Sequence, residues 1–200
     1  KKHLILELLD DKGQHVQMKA SVALTRILRL AQITSGHMID EVSREAVSLG
    51  YHPKVDEACT IIRNEVGGKK VIVWARFTAT INLLMKKLED LNPAVMHGAT
   101  KNRDAEVKKF QNDNSCRVFI GQISTGYGYN LTASDIMIYT EHDFSVEHRI
   151  QSLGRNDRIG QTSDKLTVLD LVIRDSIDTY TLDSLDKKQD VADRIMDILK

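Results

Sequence analysis

Three side chains near residue 155 are the best suited in this sequence to chemistry on a polyphosphate. Gln151, Arg155 and Arg158 fall within Gln-Ser-Leu-Gly-Arg-Asn-Asp-Arg-Ile-Gly-Gln, residues 151–161. If the segment is helical to about Arg158, the three share one face, because residues three and four apart are neighbours on a helix. Two guanidiniums aimed the same way can each make paired bonds to phosphate oxygens. Taken alone, an Arg-x-x-Arg pair fits a solvated helix better, with Asp157 as an ion-pair partner. What lies upstream changes that balance.

Four more segments put ligand-contacting residue types where the chain turns. Val73-Trp-Ala-Arg76-Phe77-Thr carries an apolar run into an arginine, which either faces a phosphate or is simply solvated. In His97-Gly98-Ala-Thr100-Lys-Asn-Arg103, Gly98 permits a tight turn and Thr100 is a candidate cap for the next helix. Amides at a helix start suit an anion, although a plain capped turn explains the same residues. Gln122-Ile-Ser124-Thr125-Gly126-Tyr-Gly128-Tyr-Asn130-Leu-Thr sets two glycines beside hydroxyls, which lets backbone amides approach phosphates. Glu141-His-Asp143-Phe-Ser145 offers acid and imidazole groups, but no nucleophile stands beside them. A structural role is expected there, with Ser145 a candidate cap for the following helix. The sequence has no phosphate loop of the G-x-x-x-x-G-K-[ST] kind. Gly67-Gly68-Lys-Lys lacks the spacing, and Asp40-Glu41 follows a loop rather than a buried strand. Cys59 and Cys116 have no metal spacing and read as small buried hydrophobes, so no metal ligand is assigned.

In order and spacing these segments resemble the second half of superfamily 2 helicases, specifically the Swi/Snf-like DNA translocases. Residues 151–161 are similar to their motif VI, and the Gly154 and Asn156-Asp157 variant resembles bacteriophage and prophage members. Residues 73–78 look like motif IV, and residues 97–103 look like the family's hGxtxxxxR segment. Residues 122–132 look like motif V, and Leu28–Gly36 resembles the helix that precedes the second lobe. Thr125 stands where the family has a glycine, and residues 141–145 lack its Asn-Pro. The resemblance implies a RecA-like (P-loop NTPase-type) three-layer sandwich, the C-terminal lobe of an ATP-dependent helicase or translocase. It implies that Arg155 and Arg158 act as arginine fingers on ATP with Mg2+, bound mainly by an N-terminal lobe of the same polypeptide. Gln151 would orient the arginines or contact the nucleotide, and Gly126 and Gly128 would border the nucleotide. Arg76, His97, Gly98, Thr100, Arg103, Ser124 and Thr125 would contact the backbone of DNA, double-stranded on this likeness. Asn130 would brace the motif V loop by bonds to backbone. The implied location is the cytoplasm of a bacterium or a phage-infected host. A non-catalytic helicase-like module that binds nucleic acid or protein is the alternative, and strand separation against translocation stays open.

Alternating elements must position these segments. Strands are expected at Lys70–Ala75, Ala94–Met96, Cys116–Ile120, Ile136–Tyr139 and Lys165–Val172. Helices are expected at Lys54–Val66, around Ile81–Leu88, at Arg103–Phe110 and from Glu147. Strands separated by helices imply a mostly parallel sheet covered on both faces, an α/β fold, in which function gathers at the carboxyl ends of the strands. Residues 1–50 are expected to be a helical lead-in or inter-lobe linker, with Val22, Leu24, Ile27, Leu28, Leu30, Ala31 and Ile33 apolar and Arg26, Arg29 and Gln32 opposite. Residues 51–175 form the main domain and 176–200 a helical extension.

Composition adds limits. Lys plus Arg equal Asp plus Glu at 28 each, so nucleic-acid contact must come from local patches. No apolar run approaches the ~18 residues a bilayer demands, so no membrane partner is expected. The chain opens on lysine, which points to a fragment of a longer protein.

Overall fold

The computed structural model describes residues 25–40, 42–125, 129–154 and 165–187. Its centre is β3 (Val71–Ala75), a run of β-branched and aromatic residues with every side chain buried. A strand buried on both faces belongs in the middle of a parallel sheet. That is its place: β4 (Ala94–Met96), β5 (Val118–Gln122), β3, β6 (Ile136–Tyr139) and β7 (Thr167–Asp170) lie in this order, every pairing parallel.

Alternation along β3 builds two cores. Val71, Val73 and Ala75 meet helices α2 (Pro53–Asn64) and α3 (Thr78–Lys87) through Val55, Ala58, Ile81 and Leu84. Ile72 and Trp74 face the other way, toward Phe110 of α4 (Arg103–Asn112) and Leu153 of α5 (Val146–Leu153). The result is the expected three-layer sandwich. One contact dictates a residue type: a Cβ at Gly121 of β5 would sit 2.4 Å from the Trp74 ring, so glycine there leaves the indole its space.

The lead-in differs from expectation. Helix α1 (residues 25–34) stops at Thr34-Ser35-Gly36, where the sequence offers a helix stop, but an antiparallel hairpin, β1 (His37–Ile39) with β2 (Ala46–Ser48), then follows in a stretch expected to be helical. Gly36 at φ +80° ends the helix, and a Cβ there would lie 2.2 Å from the Tyr51 carbonyl. Asp40 then folds the loop, its Oδ1 accepting from the amides of Val42 and Ser43. The packing face of α1 also differs. Ala31, Gln32 and Ser35 are buried, whereas Leu30 and Ile33 are exposed. Arg29 explains the inversion at Gln32: its Nη1 donates to Gln32 Oε1 and to the Ile39 carbonyl, so the polar pair is satisfied under the hairpin.

The C-terminal helix α6 (Ile177–Asp186) closes the described chain, capped by Ser176, whose Oγ accepts from the Asp178 amide. Val22 and Leu24 of the lead-in and residues 188–200 of the expected helical extension lie outside the described residues. Both thiols are free, Cys116 buried and Cys59 half-buried, and burial pushes both up.

Candidate nucleotide and nucleic-acid interface

The carboxyl ends of β3, β4, β5 and β6 bring most of the singled-out residues to one edge of the sheet. Arg76 and Phe77 leave β3, His97 and Gly98 leave β4, Ser124 and Thr125 follow β5, and Glu141 to Phe144 follow β6.

Glu141 organises the β3 exit. It is buried, and its Oε2 accepts from the amides of Arg76 and Phe77 at 2.8 and 3.0 Å. Its Oε1 accepts from the Thr80 hydroxyl. Phe77, at the N-cap of α3, supplies no side-chain cap, so a carboxylate from the neighbouring strand does that work and complements the helix dipole. Sequence reasoning noted the acid and missed this role, because its partners are more than sixty residues away. Above it, the Arg76 guanidinium stacks on Phe144 at 3.8 Å and lies 5.3 Å from the Phe77 ring. Burial lowers the Arg76 pKa, with Asp143 and Glu141 opposing the shift. Arg76 Nη1 is buried with no hydrogen-bond partner among the described residues, a donor suited to an anion.

The β4 exit is a closed turn. Thr100 Oγ1 accepts from the His97 amide at 3.0 Å, and the Thr100 amide donates to the His97 carbonyl. Thr100 is therefore not the helix cap. Asn102 is, with Oδ1 accepting from the Ala105 amide, because it stands immediately before Arg103, the first residue of α4. The Gly98 amide donates to Gln122 Oε1 at 3.1 Å, and Gln122 Nε2 donates to the Arg76 carbonyl at 3.2 Å. Gln122 thus joins three strand ends, a role its sequence gave no sign of. Ser124 and Thr125 sit in a short 3-10 turn, Ile123–Thr125, against which α5 packs. Asn130 is exposed and its carbonyl accepts from Gln111 of α4 at 2.7 Å, while residues 126–128, the part of the loop it is expected to brace, lie outside the described residues.

Helix α5 is held from below. Ser145 caps it, Oγ accepting from the His148 amide. Arg149 makes a two-pronged bond to Asp170 of β7 at 2.7 and 2.8 Å and lies 3.9 Å over the Tyr139 ring. Tyr139, its hydroxyl pushed up to about 12 by burial, is 2.7 Å from Ser152 Oγ. On α5, Gln151 Nε2 donates to Glu147 Oε1 at 2.8 Å, while Gln151 Oε1 is buried without a partner among the described residues. The helix ends at Leu153, earlier than the expected stop near Arg158. Arg155, Arg158, Gly126 and Gly128 lie outside the described residues.

His142 stacks on Tyr139 and lies 3.8 Å from Asp170 Oδ1. Burial depresses its pKa from 6.5 to about 4. Because the folded value is the lower one, the unfolded chain binds a proton that the folded chain refuses between those two values. Stability is therefore expected to fall as pH falls through that window, by about 3 kcal/mol at its lower end. His142→Phe, which keeps the stack and cannot titrate, is expected to flatten this slope in urea unfolding followed from pH 7 to pH 4.5. An unchanged slope would assign the acid sensitivity elsewhere.

Residues 53–160 match the helicase conserved C-terminal domain. The chain belongs to that helicase family. This C-terminal helicase domain is 27% identical over 149 residues to the chromatin-remodeling ATPase INO80 of Saccharomyces cerevisiae, covering 72% of this chain and 10% of that protein. It is 32% identical over 116 residues to the lymphoid-specific helicase of Homo sapiens, covering 56% of this chain and 14% of that protein. The chain thus spans only about a tenth of such relatives. Among solved structures it resembles the C-terminal part of the Fun30 ATPase domain, with TM-score 0.60 and 19% identity over 90% of this chain and 62% of that one. It also resembles the Hef helicase domain of Pyrococcus furiosus, with TM-score 0.53 and 20% identity over 66% of this chain and 28% of that one. Both likenesses bear on the fold, which is RecA-like.

Proposed function

We propose that this domain is the second lobe of an ATP-dependent DNA translocase of the Swi/Snf-like type. The observation that carries the reading is the family match through residue 160, which spans in order Arg76, residues 97–103, the Ser124–Asn130 loop and the Gln151–Gly160 segment. ATP with Mg2+ is held mainly by an N-terminal lobe of the same polypeptide, and Arg155 and Arg158 reach it across the cleft. Bound there, ATP supplies the phosphoryl group whose transfer drives the motor. Gly126 and Gly128 border the nucleotide.

Gln151 orients the arginines. Its Nε2 is fixed by Glu147, a carboxylate that only accepts, so the side chain's other end is an acceptor. The orphaned, buried Oε1 fits a guanidinium N–H and repels a phosphate oxygen. Arg76, His97, Gly98, Thr100, Arg103, Ser124 and Thr125 follow the backbone of duplex DNA. Arg76 is the described residue whose unpartnered donor best fits a phosphate. Because such contacts carry no sequence information, binding is sequence-independent. The phage-type assignment and a cytoplasmic site of action belong to this reading and rest on the Gly154 and Asn156-Asp157 variant.

A division of labour follows. The purified chain given ATP, Mg2+ and duplex is expected to show no turnover above background. Its duplex affinity is expected to be weak and to fall with salt, with a log–log slope of about −0.9 for each phosphate neutralised. Turnover by the chain alone, or salt-indifferent binding, would overturn the reading.

A further inference from the structure

Gln122 reaches between two loops assigned above to DNA. Its Oε1 accepts from the Gly98 amide and its Nε2 donates to the Arg76 carbonyl. The fit is one-way: an N–H needs an acceptor, a carbonyl needs a donor, and a primary amide offers both. Gln122 pairs with Ala75 at the last rung of the β3–β5 ladder, so its side chain continues the link where the backbone ladder stops. Its own carbonyl accepts from the Thr125 hydroxyl at 3.0 Å. Beyond Arg76 the contacts run on through the Phe144 ring and through Asp143, which binds His148 of α5.

We infer that Gln122 is a positioning residue that couples the His97–Arg103 segment to the Arg76 turn, so that a phosphate engaged at one is felt at the other. The inference rests on the DNA-facing reading of both segments. A side chain without the amide leaves the Gly98 N–H and the Arg76 carbonyl to water, and the two loops then set their positions separately.

The test is a double-mutant cycle repeated in two backgrounds, read as the affinity of a fluorescently labelled duplex for the 200-residue chain at low salt. In the unsubstituted background, Arg76→Ala and Arg103→Ala are expected to weaken binding non-multiplicatively, with a coupling factor of roughly five or more. In Gln122→Met the two losses should simply multiply. Gln122→Glu keeps an acceptor for Gly98 and sets a carboxylate against the Arg76 carbonyl. It should uncouple the pair in the same way, which covers the case in which the methionine variant folds poorly. A merely structural glutamine would lower the thermal midpoint in both variants and leave the coupling factor intact, which overturns the inference. Multiplicative losses in the unsubstituted chain overturn it too. If neither arginine affects affinity, the DNA-facing reading fails first and the coupling with it.

Discussion

Alanine at Arg155 or at Arg158 is expected to lower DNA-stimulated ATP turnover by the full-length protein by about a thousandfold or more. In phosphoryl transfer the protein contributes mainly position and charge, so a guanidinium aimed at the transferred group carries much of the rate. Lysine at either position should restore little, because it lacks the planar fork that grips two phosphate oxygens. The double variant should be hardly worse than either single one, since on the proposed reading the two arginines serve one transition state. Helix α5, which precedes them in the chain, is fixed by the Arg149–Asp170 pair and the Tyr139–Ser152 bond. Duplex affinity measured without nucleotide should change little. Turnover indifferent to both substitutions would leave a helicase-like scaffold that binds without catalysing.

Burial on both faces made the sheet legible. Val71–Ala75 and Ile136–Tyr139 are short apolar runs, and both strands came out where those runs stand. β5 runs from Val118 to Gln122 where Cys116–Ile120 was expected; Gly121, a type depleted in strands, hid its C-terminal end. Gly121 is in the strand because Trp74 leaves no room for a Cβ. The β1–β2 hairpin was invisible, since strands of three residues are too short to show a period of two. At the site, Arg76 could be singled out from its position after an apolar run. Gln122 and Glu141 act through partners fixed by strand register, and no local pattern records a register. The same holds for Lys54 and Asp178, which meet across a separation of 124 residues.

That pair yields the largest stability effect. Lys54 Nζ lies 2.8 Å from Asp178 Oδ2, with side chains only 5% and 9% exposed. The carboxylate is well served otherwise: its Oδ1 accepts from the Thr34 hydroxyl at 2.8 Å, and its Oδ2 also accepts from the Ile173 amide at 3.1 Å. It stands in the first turn of α6, where the helix dipole favours a negative charge. Asp178→Ala therefore strands a buried ammonium and is expected to cost about 3–5 kcal/mol. Lys54→Met leaves Asp178 with its hydroxyl, its amide and the helix end, and should cost clearly less. The double variant Lys54→Met with Asp178→Asn should recover part of the loss, since no charge is then left buried without a partner. Urea unfolding of the three variants measures all of this, and equal costs for the two single changes would refute the asymmetry. The pair also fixes what the lobe includes. Thr34 lies before the family segment 53–160 and Asp178 lies after it, while Lys54 lies within it. Lead-in helix and C-terminal helix are thus bonded to the same buried point, so a change that frees Asp178 should loosen α1 and α6 together.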